Sequence, residues 1–399
     1  MNNPYHLKPE KTEEISIEGG SVLLNSGGSP VLLEAEFKRS IWHPGEAWIE
    51  ISSGSVSYGR QYIGKPVKDK CYIDLSNIAA PGELRLATGG ITLQKNARLL
   101  YFRQQKKEGK TLILAPHPDD GELACTTFYG TDTYLVTISA GEKLQDLKKQ
   151  YFKSMDDSVE AAGRRKGNLR AFNASTTAML GDIPYDQMVC LGYMDGALEN
   201  MLKGTAIQSD FKPGDFRNYN SRKAAADLGL MENPKNSIKD LKTELTEIIR
   251  RIRPVRILVT NPFLEFHRDH LAAGKLLLEM KREDLTGNAD LLFYTIHAQR
   301  EKDLYFGPAG SRITVPAFAA IPGIDNSVTF SYVSNMLDPE AMKRKAVMMN
   351  CMYDLYSSKD HRWRRNADLE YLNSPRFGKA YYFRRFVKSN EVFLQLIDC

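Results

Sequence analysis

From Thr111 onward, short apolar runs alternate with amphipathic stretches. The runs at 112–115, 133–138, 187–191, 256–260 and 291–296 are four to six residues long and read as buried strands. Between them lie helical patterns, the clearest at 238–252. There Ile238, Leu241, Leu245, Ile248, Ile249 and Ile252 share one face. Ser237 is placed to cap that helix, Asp240 stands at the capping-box position, and Pro254 ends it. Strand–helix alternation of this kind predicts an α/β fold, a mostly parallel sheet covered by helices. Upstream the rhythm differs. The runs at 21–24, 31–35, 47–51 and 72–75 are separated by Gly, Pro, Ser and Asn, and 82–93 reads as a hairpin closed at Gly89-Gly90. A smaller β-sandwich is expected over residues 1–105, and the α/β domain over 106–399, joined through the polar run 104–110.

Two of the predicted strands end in clusters that can do chemistry. Leu112-Ile113-Leu114-Ala115 runs into Pro116-His117-Pro118-Asp119-Asp120, and Ile257-Leu258-Val259-Thr260 leads to His267-Arg268-Asp269-His270. The prolines stiffen the first turn and lower the entropy lost when its side chains are fixed. Loops that follow strands of an open α/β sheet lie on the edge where such sheets bind ligands. Two histidines with one carboxylate and a free fourth position suit catalytic Zn²⁺. His117 and Asp120, three apart in the turn, can share one ion with a histidine of the second cluster, which leaves Asp119 for proton transfer. Zinc at such a centre polarises a carbonyl and makes hydroxide available near neutral pH, which suits amide hydrolysis.

Together these segments resemble the PIG-L/LmbE family of zinc-dependent N-acetyl-sugar deacetylases. The family's first signature is Pro-His-Pro-Asp-Asp-x-Glu-Leu-Gly-Cys-Gly-Gly. Here it reads Pro116 to Thr127, with Thr126-Thr127 in place of the Gly-Gly pair. The family's His-x-x-His is His267 to His270, and its Leu-Gly-x-x-Asp-Gly is Leu191 to Gly196. Its Arg-x-Gly-Glu-Leu-like segment is Arg165 to Leu169, with Asn168 where Glu is usual. The resemblance spans roughly 110 to 385 and implies a Rossmann-like, LmbE-type fold there. It implies His117, Asp120 and His270 as the zinc ligands, Asp119 as general base and His267 facing the substrate carbonyl as an imidazolium. Asp269 is expected to orient a histidine, and Asp195 and Arg165 to contact sugar hydroxyls. Glu122 is read as a helix-start residue. His6, His43, His297 and His361 carry no partner pattern and are assigned no role.

Composition narrows the surroundings. A net charge of +5, from 54 basic and 49 acidic residues dispersed along the chain, argues against a nucleic-acid partner. The five cysteines form no Cys-x-x-Cys pair, which fits a reducing compartment, and Cys125 reads as a small buried residue. No signal-peptide pattern and no 18-residue apolar run is present, so a soluble, cytoplasmic protein with at most peripheral membrane contact is expected.

The reading that results is a zinc hydrolase releasing acetate from an N-acetyl-hexosamine such as N-acetylglucosamine in a glycan or glycolipid. Bacterial surface polysaccharide or lipopolysaccharide-core synthesis would use such a step. The alternatives are a zinc amidase for a small sugar or thiol conjugate, and a catalytically silent glycan-binding protein. The intact Asp119 weighs against the silent form.

Overall fold

The computed structural model describes residues 6–25, 28, 30–64, 67, 69–78, 81–103, 108–144, 147–205, 207, 209–298, 305–315, 328–353, 355 and 381–398. Cys399, His361 and part of the expected linker, 104–107, lie outside them. Packing divides the chain into two units. One comprises Met1–Lys106, His297–Met342 and Ala367–Cys399, and the other Lys107–Ile296 and Lys343–Asn366. A single break near residue 105 would assign all of 297–399 downstream. Packing instead groups most of it with the N-terminal residues.

In the first unit, residues 11–101 form two antiparallel four-stranded sheets. One has the order β1 (Lys11–Ser16), β8 (Ile91–Tyr101), β3 (Val31–Arg39), β6 (Lys70–Asp74). The other runs β2 (Ser21–Leu24), β7 (Gly82–Gly89), β4 (Ala47–Ser53), β5 (Val56–Ile63). Alternate residues turn inward: Ala47, Ile49 and Ile51 on β4 and Leu84 and Leu86 on β7 join Leu33, Ala35, Ile73 and Leu99 in one apolar cluster drawn from both sheets. The expected 82–93 hairpin is corrected. β7 and β8 are consecutive but belong to different sheets, so the turn at Gly90 carries the chain from one sheet to the other.

The C-terminal part of this unit is tied to β6 by a buried polar knot. Asp74 Oδ2 accepts from Arg312 Nε at 3.1 Å, Ser334 Oγ at 2.8 Å and Asn390 Nδ2 at 3.0 Å. Asp74 and Arg312 are both buried. Asp74→Ala strands a buried guanidinium and is expected to cost about 3–5 kcal/mol. A denaturant melt reads this loss directly, and a change under 1 kcal/mol would contradict it.

The second unit holds five parallel strands in the order β11 (Met188–Tyr193), β10 (Thr133–Ser139), β9 (Thr111–Ala115), β12 (Arg256–Thr260), β13 (Asp290–Tyr294). Every residue of β9 is buried, as a strand covered on both faces requires. Helices α1 (Asp120–Ala124), α2 (Leu147–Gln150), α3 (Val159–Ala174), α4 (Leu198–Leu202), α5 (Arg222–Leu228), α6 (Ile238–Ile252) and α7 (Arg268–Arg282) connect and flank them. α6 starts as expected, with Ser237 Oγ accepting from Asp240 N at 3.1 Å. The Asp240 carboxylate, however, accepts from Lys235 N rather than from the cap.

The strand order fixes the site. The chain winds outward from β9 through β10 to β11, then returns to the other side of β9 as β12. β9 and β12 are thus the neighbours at which the winding reverses, and the crevice beyond their carboxyl ends is the natural binding place. Gly274 makes the second half possible: a Cβ there would come within 2.4 Å of the Thr260 carbonyl oxygen, so only glycine lets α7 lie this close to the end of β12.

Candidate metal centre and active site

The loop after β9 and the start of α7 bring three histidine rings into a triangle. Ring centroids lie 4.7 Å apart for His117–His267, 5.1 Å for His117–His270 and 4.9 Å for His267–His270. His117 Nδ1 is 3.1 Å from His270 Nε2, although the residues are 153 apart in sequence. Asp120 Oδ2 lies 3.3 Å from His270 Nε2 and 3.6 Å from His117 Nδ1. It also accepts from the His117 backbone N–H at 2.9 Å, which locks the turn.

These distances test the fit to a metal. Ligands about 2.0–2.1 Å from a tetrahedral ion stand about 3.3 Å from one another. The edges of the His117–Asp120–His270 triangle, 3.1, 3.3 and 3.6 Å, match that figure. The three expected ligands therefore fit a divalent ion. Two overlapping donor groups occur among the described residues, His117 with His267 and His270, and His117 with Asp195 and Asp269. His267 is accordingly within reach as a further donor.

The other nitrogen of His117 faces carboxylates. Nε2 lies 3.2 Å from Asp195 Oδ1 and 3.4 Å from Asp269 Oδ2. Asp269 is fully buried, and its oxygens also accept from Gly196 N at 2.7 Å and Leu198 N at 3.1 Å. It stands behind His117, the position from which a carboxylate can orient a histidine ring. The turn that presents those N–H groups needs Gly196 at φ +75. Asp195 is buried against His117, and its own N–H donates to Glu142 Oε1 at 2.9 Å.

Asp119 stands apart from the buried acids. It is partly exposed, and Arg170 Nη2 donates to its Oδ1 at 3.1 Å. His267 is also partly exposed, and Phe266 beside it is 71% exposed. Asp119 and His267 are therefore the polar members of the cluster that a substrate can reach. Arg165 lies elsewhere. It donates to Asp156 at 2.8 Å, to the Gln150 carbonyl at 2.7 Å and to Tyr353 at 3.2 Å, a network that ties loop 150–156 to α3.

Electrostatics fit a cluster built for a cation. Burial would lower the His117 pKa, but hydrogen bonds to Asp120, Asp195 and Asp269 hold it well above the ordinary value. Burial works against ionisation of Asp120, yet the facing His270 and His117 hold its carboxyl well below the usual range. Burial and the neighbouring His117 and His270 lower His267 to about 4, and burial lowers His270 to about 4. The expected imidazolium at His267 is therefore disfavoured, and a neutral ring is the donor to consider.

Sequence reading missed three buried polar groups here, Arg170, Glu142 and Glu265, and did not foresee that Glu122, read as a helix-start residue, is buried. Arg170 was legible in principle. Ala162, Lys166, Arg170 and Ala174 follow an i, i+4 stripe with Gly163, Gly167 and Ala171, and that small-residue stripe is the buried face of α3.

The metal-free protein should respond to pH unusually. Burial and the nearby Asp119 and Asp120 push Glu122 up to about 8, and burial and Asp195 push Glu142 up to about 7. Acids raised in the folded state add stability at low pH and lose it as pH rises to the folded value. His117, a raised base, loses its contribution in the same direction above about pH 6.5. The depressed His267 and His270 act oppositely only below that pH. Thermal melts with chelator should therefore show a loss of about 2 kcal/mol between about pH 6.5 and 8. A flat or rising profile would contradict the assignment.

Residues 112–281 match the PIG-L family, described as GlcNAc-PI de-N-acetylase. Among solved structures, the chain is similar to the A40926 pseudoaglycone deacetylase Dbv21, at 16% identity and a TM-score of 0.40, covering 73% of this chain and 98% of that one. It is similar to the zinc-inhibited form of teicoplanin deacetylase Orf2, at 13% identity and a TM-score of 0.37, covering 73% and 98%. It is also similar to GalB, the 4-carboxy-2-hydroxymuconate hydratase of Pseudomonas putida, at 14% identity and a TM-score of 0.38, covering 73% and 97%. No curated protein sequence matches the chain. Among the described residues no helix is long and apolar enough to cross a membrane.

Proposed function

We propose that this chain, whose residues 112–281 match the PIG-L family, is a metal-dependent de-N-acetylase acting on an N-acetyl-hexosamine unit of a glycan-like substrate. The observation that carries this reading is the His117–Asp120–His270 triangle at tetrahedral spacing, with the accessible Asp119 beside it. Zinc is the ion these nitrogen and oxygen donors suit, and when bound it supplies Lewis acidity toward the amide oxygen and water.

The chain's own residues do the rest. Asp119, steadied by Arg170, takes a proton from the attacking water and delivers it to the leaving nitrogen. Neutral His267 donates an N–H to the oxygen that gains charge as the carbonyl becomes tetrahedral. Asp269 and Asp195 hold His117 in place. The exposed Phe266 offers an apolar face for a pyranose ring. Acetate and a free amino sugar are the products. We read the two N-terminal sheets with their shared core as a sandwich that holds the larger glycan or glycolipid, in a cytoplasmic step of surface-polysaccharide or lipopolysaccharide-core synthesis.

The test is acetate release by the metal-loaded protein from a panel of N-acetylglucosaminides: the free sugar, a nucleotide-linked sugar, a phosphatidylinositol-linked sugar and an N-acetylated oligosaccharide. Stoichiometric acetate and free amine from at least one member is expected. Tight binding without release would favour the silent glycan-binding reading.

A further inference from the structure

Glu265 interrupts the apolar segment Phe263-Leu264-Glu265-Phe266 and is 0% exposed. A carboxylate removed from water to that extent needs partners. One of its oxygens, Oε1, accepts from the Ile296 backbone N–H, which anchors it. The other, Oε2, lies 3.2 Å from His270 Nδ1. On its opposite edge His270 turns Nε2 toward His117 Nδ1 and Asp120.

We propose that Glu265 is a positioning residue for the metal centre, fixing His270 as the tautomer protonated on Nδ1 so that the Nε2 lone pair points at the ion. The proposal rests on the metal-centre reading above. A neutral imidazole carries one N–H, and the nitrogen that binds a cation must be the other. With a carboxylate behind Nδ1, the proton stays on that side. The arrangement of His117 agrees. Its Nε2 faces Asp195 and Asp269, so Nδ1 is the nitrogen it turns toward His270 Nε2. Glu265 thus does for His270 what Asp269 does for His117, and both ligand histidines are backed by a buried acid. Thr260 Oγ1 adds a bond to the His270 carbonyl at 2.8 Å, so the α7 backbone is already fixed and the ring's orientation is what remains to be set.

Glu265→Gln separates this role from simple packing. The amide keeps the shape but has one acceptor oxygen. If that oxygen stays on Ile296 N–H, an NH₂ group faces His270 and favours the Nε2–H tautomer, which blocks the metal lone pair. The expected result is a zinc dissociation constant raised about 10–100-fold in chelator competition, with the metal-free melting temperature moved little. Glu265→Asp, which keeps the charge at shorter reach, should fall between. Zinc affinity within threefold of wild type in Glu265→Gln would overturn the proposal. A wild-type protein that binds no zinc would instead sink the metal-centre reading. Should the Gln variant not fold, nitrogen-15 histidine spectra of the metal-free wild type decide. A protonated Nδ1 on His270, assigned against His270→Gln, supports the proposal, and a protonated Nε2 overturns it.

Discussion

Asp119→Asn keeps its metal and loses turnover by a factor on the order of 10²–10⁴, the usual cost of removing a general base. The structure explains why the two effects separate. Asp119 is not an edge of the donor triangle, its oxygen is held by Arg170, and it is the partly exposed acid of the cluster. An amide cannot accept the proton of the attacking water, but it preserves volume and still hydrogen-bonds Arg170. Metal content by mass spectrometry of the protein solution and initial rates of acetate release check the two halves. Activity within a few-fold of wild type would make Asp119 a structural residue.

His117→Ala and His270→Ala lose the ion itself. Each removes one of three donors and also breaks the link to a second, because His117 Nδ1, His270 Nε2 and Asp120 Oδ2 all face one another. Loss of an outer partner costs about 10–100-fold in metal affinity, so loss of a donor should exceed that. The His117 variant has an added consequence. Asp195 and Asp269 would face each other and Asp120 across a hole without the cation that balances them. That variant should be the less stable of the two in thermal melts without metal, and equal stability would contradict this account.

Much of this was legible in the chain. The strand-forming runs of the second unit fell where the strands are, because fully buried strands of a parallel sheet leave an unbroken apolar signature. The His-Pro-Asp-Asp segment follows β9 and the His-x-x-His segment follows β12 at the start of α7, so the sheet order brings them together. The N-terminal sheets were harder. β1 is mostly exposed, Lys11 and Glu14 among its residues, and β5 alternates weakly, so neither stood out. Consecutive strands β7 and β8 looked like a hairpin because local sequence does not say which sheet a strand joins. The Asp74 knot joins Asp74 to residues 238 to 316 positions away, beyond any local pattern.

Charged residues that turn inward were the other blind spot. Glu265 was invisible because a lone charge reads as surface unless its partner is known, and Arg170 showed only through the small-residue stripe of its helix. Arg165, which matched a family segment, lies on α3 just off the buried stripe and bonds Asp156 and Tyr353.

Anomalous diffraction from zinc-soaked crystals at the zinc edge tests the central claim most directly. A single strong peak is expected about 2.0–2.1 Å from His117 Nδ1, Asp120 Oδ2 and His270 Nε2. A peak on the Nε2 side of His117, between Asp195 and Asp269, or no peak within reach of His117 and His270, would contradict it.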